Sequence, residues 1–384
     1  MSTAKLRYRK MFCWGNLDGG RKWESFLSKE NEGAYVEIQA GITPTQVNGF
    51  DINANSNIEF TQMFSFANIK NQNNIDELYN KDYSKARDKV KNIIDSNVSK
   101  NHLDELFYKY SKESNLKING DILSFGKGWG ALENLRREKY KLKESPKSLY
   151  FPKSSIDREC LTWLKLLEDR NLNEMEESYL PASYSLDFKN ELENIKNKNA
   201  ITLIHLGIIY YENFLEEKAF ELWIKSLEIK PYAIAYRNLS IYYKNKKEYD
   251  KSIFYMEKAI KIFENKNMII DEAFLVEYLE LLSYIKDYDK IIYLYEKYNK
   301  NEKIAVFAAR AYFEKKEYKK LENIFNIEQI TIREGENYLL DIYFEYIAKL
   351  KSERENIEFN DELIKKIRIE EKAPENLDFR MVKR

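Results

Sequence analysis

Apolar residues recur at helical spacing through most of this chain. Between Asp76 and Lys112 they fall at Ala86, Val90, Ile93, Ile94 and Val98, then at Leu103, Leu106 and Phe107, which predicts two amphipathic helices. From about Asn197 onward one pattern is reused. Its first copy carries Leu206-Gly207, Tyr210, Ala219, Trp223 and Pro231, and its second carries Tyr236, Leu239, Ser240, Tyr243, Ser252, Met256 and Ala259. Later copies diverge, yet their turns rhyme: Lys247-Glu248-Tyr249-Asp250-Lys251, Lys286-Asp287-Tyr288-Asp289-Lys290 and Lys316-Glu317-Tyr318-Lys319-Lys320 each precede an apolar helix. The chain before Phe66 reads differently, as short strands and turns: Met11-Phe12-Cys13-Trp14-Gly15, then Asp18-Gly19-Gly20, then Ala34 to Gly41. There Tyr35, Glu37 and Gln39 alternate with Val36, Ile38 and Ala40, which predicts a strand that buries its apolar side and displays its polar side.

The repeated pattern has a period close to the roughly 34 residues of a tetratricopeptide repeat, and the spacings of its first copy match that pattern closely. Small residues are required where the two helices of a repeat cross, and Tyr210, Trp223, Tyr243 and Tyr312 are expected to pack around those crossings. One repeat cannot bury its own apolar face. Stacked copies therefore share a core and leave a groove lined by their first helices, on which Ile208, Tyr211, Arg237, Ile241 and Lys244 are expected. Some tetratricopeptide proteins grip a terminal carboxylate with Lys and Asn, but Ile208 and Ile241 stand at the Asn position, which disfavours that use.

Glycine divides the chain: ten of the 12 glycines precede residue 131, and only Gly207 and Gly335 follow it. Gly126-Lys127-Gly128-Trp129-Gly130 runs into a helix-forming stretch, so these glycines let the chain turn before a helix starts. A phosphate cradle is the competing reading, but the Walker spacing and its Lys-Ser/Thr pair are missing. Pro146, Pro152 and Pro181 bracket a connector with a short helix over Cys160–Leu167. The expected organisation is a mainly α chain. Residues 1–70 form a β-rich segment, 71–196 a helical connector with the Gly-Trp-Gly motif, and 197–384 a tetratricopeptide-type α-solenoid with a C-terminal cap.

Composition narrows the function. The 384 residues are 43% hydrophobic, enough to bury a sizeable core. Lys plus Arg and Asp plus Glu are both 63, for a formal net charge of +0, so no electrostatic excess favours nucleic acid or anionic lipid. Only Cys13 and Cys160 are present, and no apolar run resembles a signal peptide or a membrane span, so a reduced, cytoplasmic protein is expected. Two cysteines and the distant His102 and His205 offer no metal-ligand spacing, and both histidines read as ordinary surface or helix residues. No cofactor is implied.

Several motifs occur in a recognisable order: Trp14-Gly15, Gly19-Gly20-Arg21-Lys22-Trp23, Tyr35 to Gly41, Thr43-Pro44-Thr45-Gln46, Gly128-Trp129-Gly130-Ala131-Leu132-Glu133, and Pro374-Glu375-Asn376-Leu377-Asp378-Phe379-Arg380-Met381. In these the chain, from about Arg9 onward, resembles a bacterial family that joins a galactose-mutarotase-like β-supersandwich to tetratricopeptide repeats. Members of that family carry a long sandwich domain before the Trp-Gly motif, so the resemblance implies that this chain corresponds to the C-terminal portion, with a truncated sandwich. It also implies sugar handling. Glu37, in a Glu-X-Gln context, would take the place of the general base at the anomeric hydroxyl, with Trp14, Arg21, Trp23, Gln39 and Gln46 as carbohydrate contacts. A carboxylate on a strand's polar face beside Gln and Trp suits a hydroxyl-rich ligand.

Two departures oppose catalysis. Phe60-Thr61-Gln62 has an amide where the family has an acid, and neither His102 nor His205, both in helical segments, replaces the histidine that mutarotases use as partner acid. The function expected is an interaction module that binds a protein through the repeat groove, attached to a carbohydrate-binding-type β segment, without nucleic acid or membrane partners. The alternative is a sugar-active enzyme, a mutarotase-like epimerase or a glycosidase, completed by strands from another polypeptide. A third reading is a truncated product whose open strand edges invite pairing.

Overall fold

The computed structural model describes the chain apart from residues 1, 4–5, 15, 30–32, 34–35, 46, 65–77, 79–80, 113–120, 146–148, 174–187, 299–301, 328–337 and 381–384. Gly15, Tyr35, Gln46, Pro146, Pro181, Gly335 and Met381 lie outside the described residues. The chain is mainly helical, and its described strands form one two-stranded sheet. It divides into two compact units, residues 1–13, 33–125 and 141–151 in the first and 14–32, 126–140 and 152–384 in the second.

In the first unit β1 (Tyr8–Cys13) pairs antiparallel with β2 (Val36–Gly41), with Met11 opposite Ile38 and Phe12 opposite Glu37. The two helices expected after Asp76 are present as α2 (Tyr83–Asn97) and α3 (Lys100–Tyr110), capped by the side chains of Asp82 and Ser99. The strand's burial is the reverse of the expectation. Val36, Ile38 and Ala40 are exposed, whereas Glu37 and Gln39 are half-buried. The physical reason is that no second layer of described residues covers the apolar side, so alternation alone could not say which face the chain conceals.

The second unit begins with a correction. Asp18-Gly19-Gly20 is not a turn between strands but the first turn of α1 (Asp18–Leu27), in which Trp23, Phe26 and Leu27 recur at helical spacing. Gly19 is needed because the helix lies against the backbone of Phe379 and Arg380, and a β-carbon there would overlap the Arg380 carbonyl oxygen. Gly128 is explained likewise. It precedes α4 (Trp129–Lys139), and a β-carbon would stand 2.7 Å from the Ser155 carbonyl oxygen, so the position is set by close packing. Then follow α5 (Arg158–Asp169) and the short α6 (Lys189–Glu193).

Among the described residues ten further helices form five successive pairs. They are α7 (Ala200–Glu212) with α8 (Glu216–Ile229), α9 (Ala233–Asn245) with α10 (Tyr249–Asn265), α11 (Glu272–Tyr284) with α12 (Tyr288–Lys297), α13 (Glu302–Glu314) with α14 (Tyr318–Phe325), and α15 (Tyr338–Glu355) with α16 (Asp361–Glu370). At the first crossing Gly207 meets the Trp223 indole, whose N–H donates to the Ile204 carbonyl at 3.2 Å. At the second, Ser240 and Ser252 take over: their hydroxyls are 3.0 Å apart and Ser252 donates to the Ser240 carbonyl. One core runs from Leu132 to Ala235, so α4 and α5 seal the start of the array, and another runs from Met256 to Leu377 through the last three pairs.

The rhyming turns have a common backbone. Lys247, Lys286 and Lys316, with Phe214 in the first pair, adopt positive φ between 57° and 61°. In each the next amide reaches back five residues, as in Glu248 to Tyr243, Asp287 to Leu282 and Glu317 to Tyr312, at 2.9 to 3.0 Å. This is the Schellman end, with lysine where glycine is usual.

Candidate functional site

Ile208, Tyr211, Arg237, Ile241 and Lys244 all lie on first helices of pairs and are all half-buried. Tyr211 packs against Trp223 with ring centroids 5.4 Å apart, and its hydroxyl accepts from Asn245 at 2.6 Å. The two cations are already engaged. Arg237 donates to Glu277 through two nitrogens, and Lys244 donates to Glu280 at 2.6 Å, both acceptors being on the next first helix. The same arrangement recurs where Arg310 forks onto Glu345 and Lys303 meets Glu272 at 2.6 Å. From α9 onward successive first helices are therefore cross-linked by ion pairs, and a partner's carboxylate would have to displace Glu277 or Glu280. That adds to Ile208 and Ile241 a second reason against a terminal-carboxylate grip.

A feature not foreseen from sequence runs behind this face. Each first helix sends one tyrosine hydroxyl to a glutamate on the preceding helix: Tyr210 to Glu193, Tyr242 to Glu217, Tyr278 to Glu257 at 2.9 Å, Tyr312 to Glu296 at 3.2 Å and Tyr346 to Glu322 at 2.6 Å. The hydrogen bond from Tyr210 to Glu193, with burial, pushes its phenol up to about 12. Burial and then the Glu257 hydrogen bond push Tyr278 up further. Separations of 17, 25, 21, 16 and 24 residues give no fixed period, which hides these pairs from a repeat search. Only the tyrosine-rich composition hinted at them.

In the first unit Glu37 and Gln39 share one face of β2, and the Gln39 side-chain amide donates to the Glu37 carboxylate at 2.6 Å. Beside them Tyr8, Lys10, Gln39, Gly41 and Thr43 line a cleft of about 110 Å³. Trp14, Arg21 and Trp23 belong to the second unit, so the residues expected to contact carbohydrate are divided between the two units, with Gln46 outside the described residues. Trp14 and Trp23 stack on each other at 5.7 Å, Arg21 is exposed, and Lys22 sits 4.8 Å over the Phe379 ring. Arg380 is held by Asp378 and lies 5.3 Å from the Phe344 ring centroid. The motif at Gly19–Trp23 and the motif at Pro374–Arg380 thus build one packed seat.

His102 is exposed on α3, 3.6 Å from Glu105. His205 instead is buried, its ring edge-on to Trp163 at 5.1 Å, and neither of its nitrogens nor the Trp163 indole N–H has a hydrogen-bond partner. Burial alone depresses the imidazole to about 4, so it is neutral at physiological pH. Among the described residues no group of three His, Cys, Asp or Glu side chains converges as a metal site. Nor is any described helix long and apolar enough to cross a membrane. Compared with protein-family models and with curated proteins, the chain matches none.

Proposed function

We propose that residues 197–384 are a tetratricopeptide-type array that holds a segment of a protein partner along the face of its first helices. One observation carries this reading: the half-buried stripe of Ile208, Tyr211 and Ile241 lies on α7 and α9, which the Asn245–Tyr211 hydrogen bond joins, and α9 is tied in turn to α11 by Arg237–Glu277 and Lys244–Glu280. Such a face is ordered before anything binds, which lowers the entropy a partner must lose. Because the cations are engaged within the array, the partner segment is neutral and partly apolar rather than an acidic tail. Free Cys13 and Cys160 support a reducing, cytoplasmic setting. The test places a photo-crosslinking residue at Ile208 or Ile241 and, as a control on a second helix, at Phe254. Groove-specific crosslinks to one protein, lost in Ile241→Asp, are expected; crosslinks only from position 254 would overturn the reading.

A second reading rests on the Glu37–Gln39 pair and its neighbouring cleft. We keep the resemblance to mutarotase-like proteins as a proposal on that ground, with Glu37 as proton acceptor for a sugar hydroxyl and the rest of the sandwich supplied by another polypeptide. Titrating the chain with monosaccharides and following the Trp and Gln side-chain resonances tests it. Shifts that disappear in Glu37→Gln support it, and no shift for any sugar removes it.

A further inference from the structure

The hairpin carries an anomaly unrelated to its polar face. Residues on one side of β1–β2 are Arg9, Met11, Cys13, Val36, Ile38 and Ala40, as the register fixes. Met11 is 68% exposed, Ile38 77% and Val36 51%, with Cys13 and Ala40 also exposed. An isolated two-stranded sheet is marginal in water, and one with its apolar side bare is worse, because that side contributes nothing until it is covered. The dimensions restrict the cover. Six residues span about 20 Å and two strands with their side chains about 10 Å. That strip matches one α-helix, about 10–12 Å across and about 13 residues long. It is too narrow for a second sheet of ordinary width.

Charge selects the kind of helix. The apolar strip holds no acid, and its rim carries Arg9, with Arg7 just before β1; both are exposed. Arg9 donates only to the neutral hydroxyl of Ser2, and neither arginine pairs with a carboxylate among the described residues. A second copy stacked face to face about a twofold axis would add the same two cations and no anion. We infer that the Met11–Val36–Ile38 face of the hairpin docks an amphipathic helix of a protein partner whose apolar stripe is flanked by Asp or Glu. This surface is separate from the repeat face and does not depend on either reading above.

The experiment uses the full chain and two synthetic helical peptides of about 14 residues. Both have a leucine stripe; one has glutamates on its flanks and the other lysines. Binding is followed by fluorescence anisotropy and by alkylation of Cys13, which lies on this face, with buried Cys160 as internal control. The glutamate peptide is expected to bind at least roughly tenfold more tightly than the lysine peptide and to shield Cys13. Ile38→Thr and Met11→Thr, which retain strand propensity, should each weaken it several-fold. The double variant Arg7→Glu/Arg9→Glu should reverse the order of the two peptides. Equal binding of both peptides, no binding at about 1 mM, or an unchanged order in the double variant would overturn the inference. So would a Cys13 that resists alkylation in the free chain, since its face would then be covered already. Sedimentation showing a dimer abolished by Ile38→Thr would assign the face to a second copy and overturn it equally.

Discussion

The missing side chain at Gly207 sets how closely α7 and α8 approach, because the Trp223 indole fills the space a methyl would need. Gly207→Ala should therefore cost about 1–3 kcal/mol in urea unfolding, the usual penalty for overpacking. Ser240→Ala should cost only about 1 kcal/mol, since it loses a hydrogen bond to Ser252 without adding volume. His205 gives a pH signature. Its pKa falls from 6.5 in the unfolded chain to about 4 in the folded one, so below 6.5 the unfolded state binds more protons. Its contribution to stability is complete above pH 6.5 and lost as pH falls toward 4. Between pH 7 and 5 the wild type should lose on the order of 2 kcal/mol more than His205→Leu, measured by denaturant titration at each pH. The sequence placed His205 on a helix but could not show that Trp163, 42 residues earlier by number, closes over it.

Among the elements, the turns offer the clearest test. Lys247, Lys286 and Lys316 sit in the left-handed region, where a side chain costs energy and glycine does not. Replacing each by Gly should raise stability by about 0.5 kcal/mol after the extra freedom of the unfolded chain is subtracted, and the triple variant should melt at a higher temperature. The tyrosine–glutamate pairs tie each first helix to the helix before it. A double-mutant cycle with Tyr278→Phe and Glu257→Gln should return a coupling of about 1 kcal/mol, whereas Tyr278→Phe with the distant Glu322→Gln should return none. The helices of the array and of the stretch after Asp76 were legible because apolar spacing survives divergence. Asp18–Leu27 was not, because Gly19-Gly20 reads locally as a turn and its helical state depends on a surface supplied from Phe379 and Arg380. The strand at Val36–Gly41 was legible as a strand, but its inner face was not, since alternation carries no information about which side a neighbour covers.

For the molecule as a whole, the contact between α1 and Phe379–Arg380 joins segments about as far apart in sequence as this chain allows. Gly19→Ala puts a methyl against backbone that has no rotamer to yield, so α1 should leave its seat. Part of the tryptophan emission should then shift to the red as Trp14 and Trp23 meet water, while the far-ultraviolet helix signal from the array persists; unchanged emission would show that the seat tolerates the methyl. Sequence motifs marked both segments, yet nothing in either announced the other, because a contact of such long range leaves no local period. The order of synthesis adds a further consequence. On the ribosome α1 emerges before the helix pairs and the backbone it rests on after them, so the Gly19 side of α1 must wait without its seat while the pairs are translated. A chain halted before residue 379 would keep that side of the helix bare, a mark by which chaperones and proteases can tell it from a chain that carries the seat.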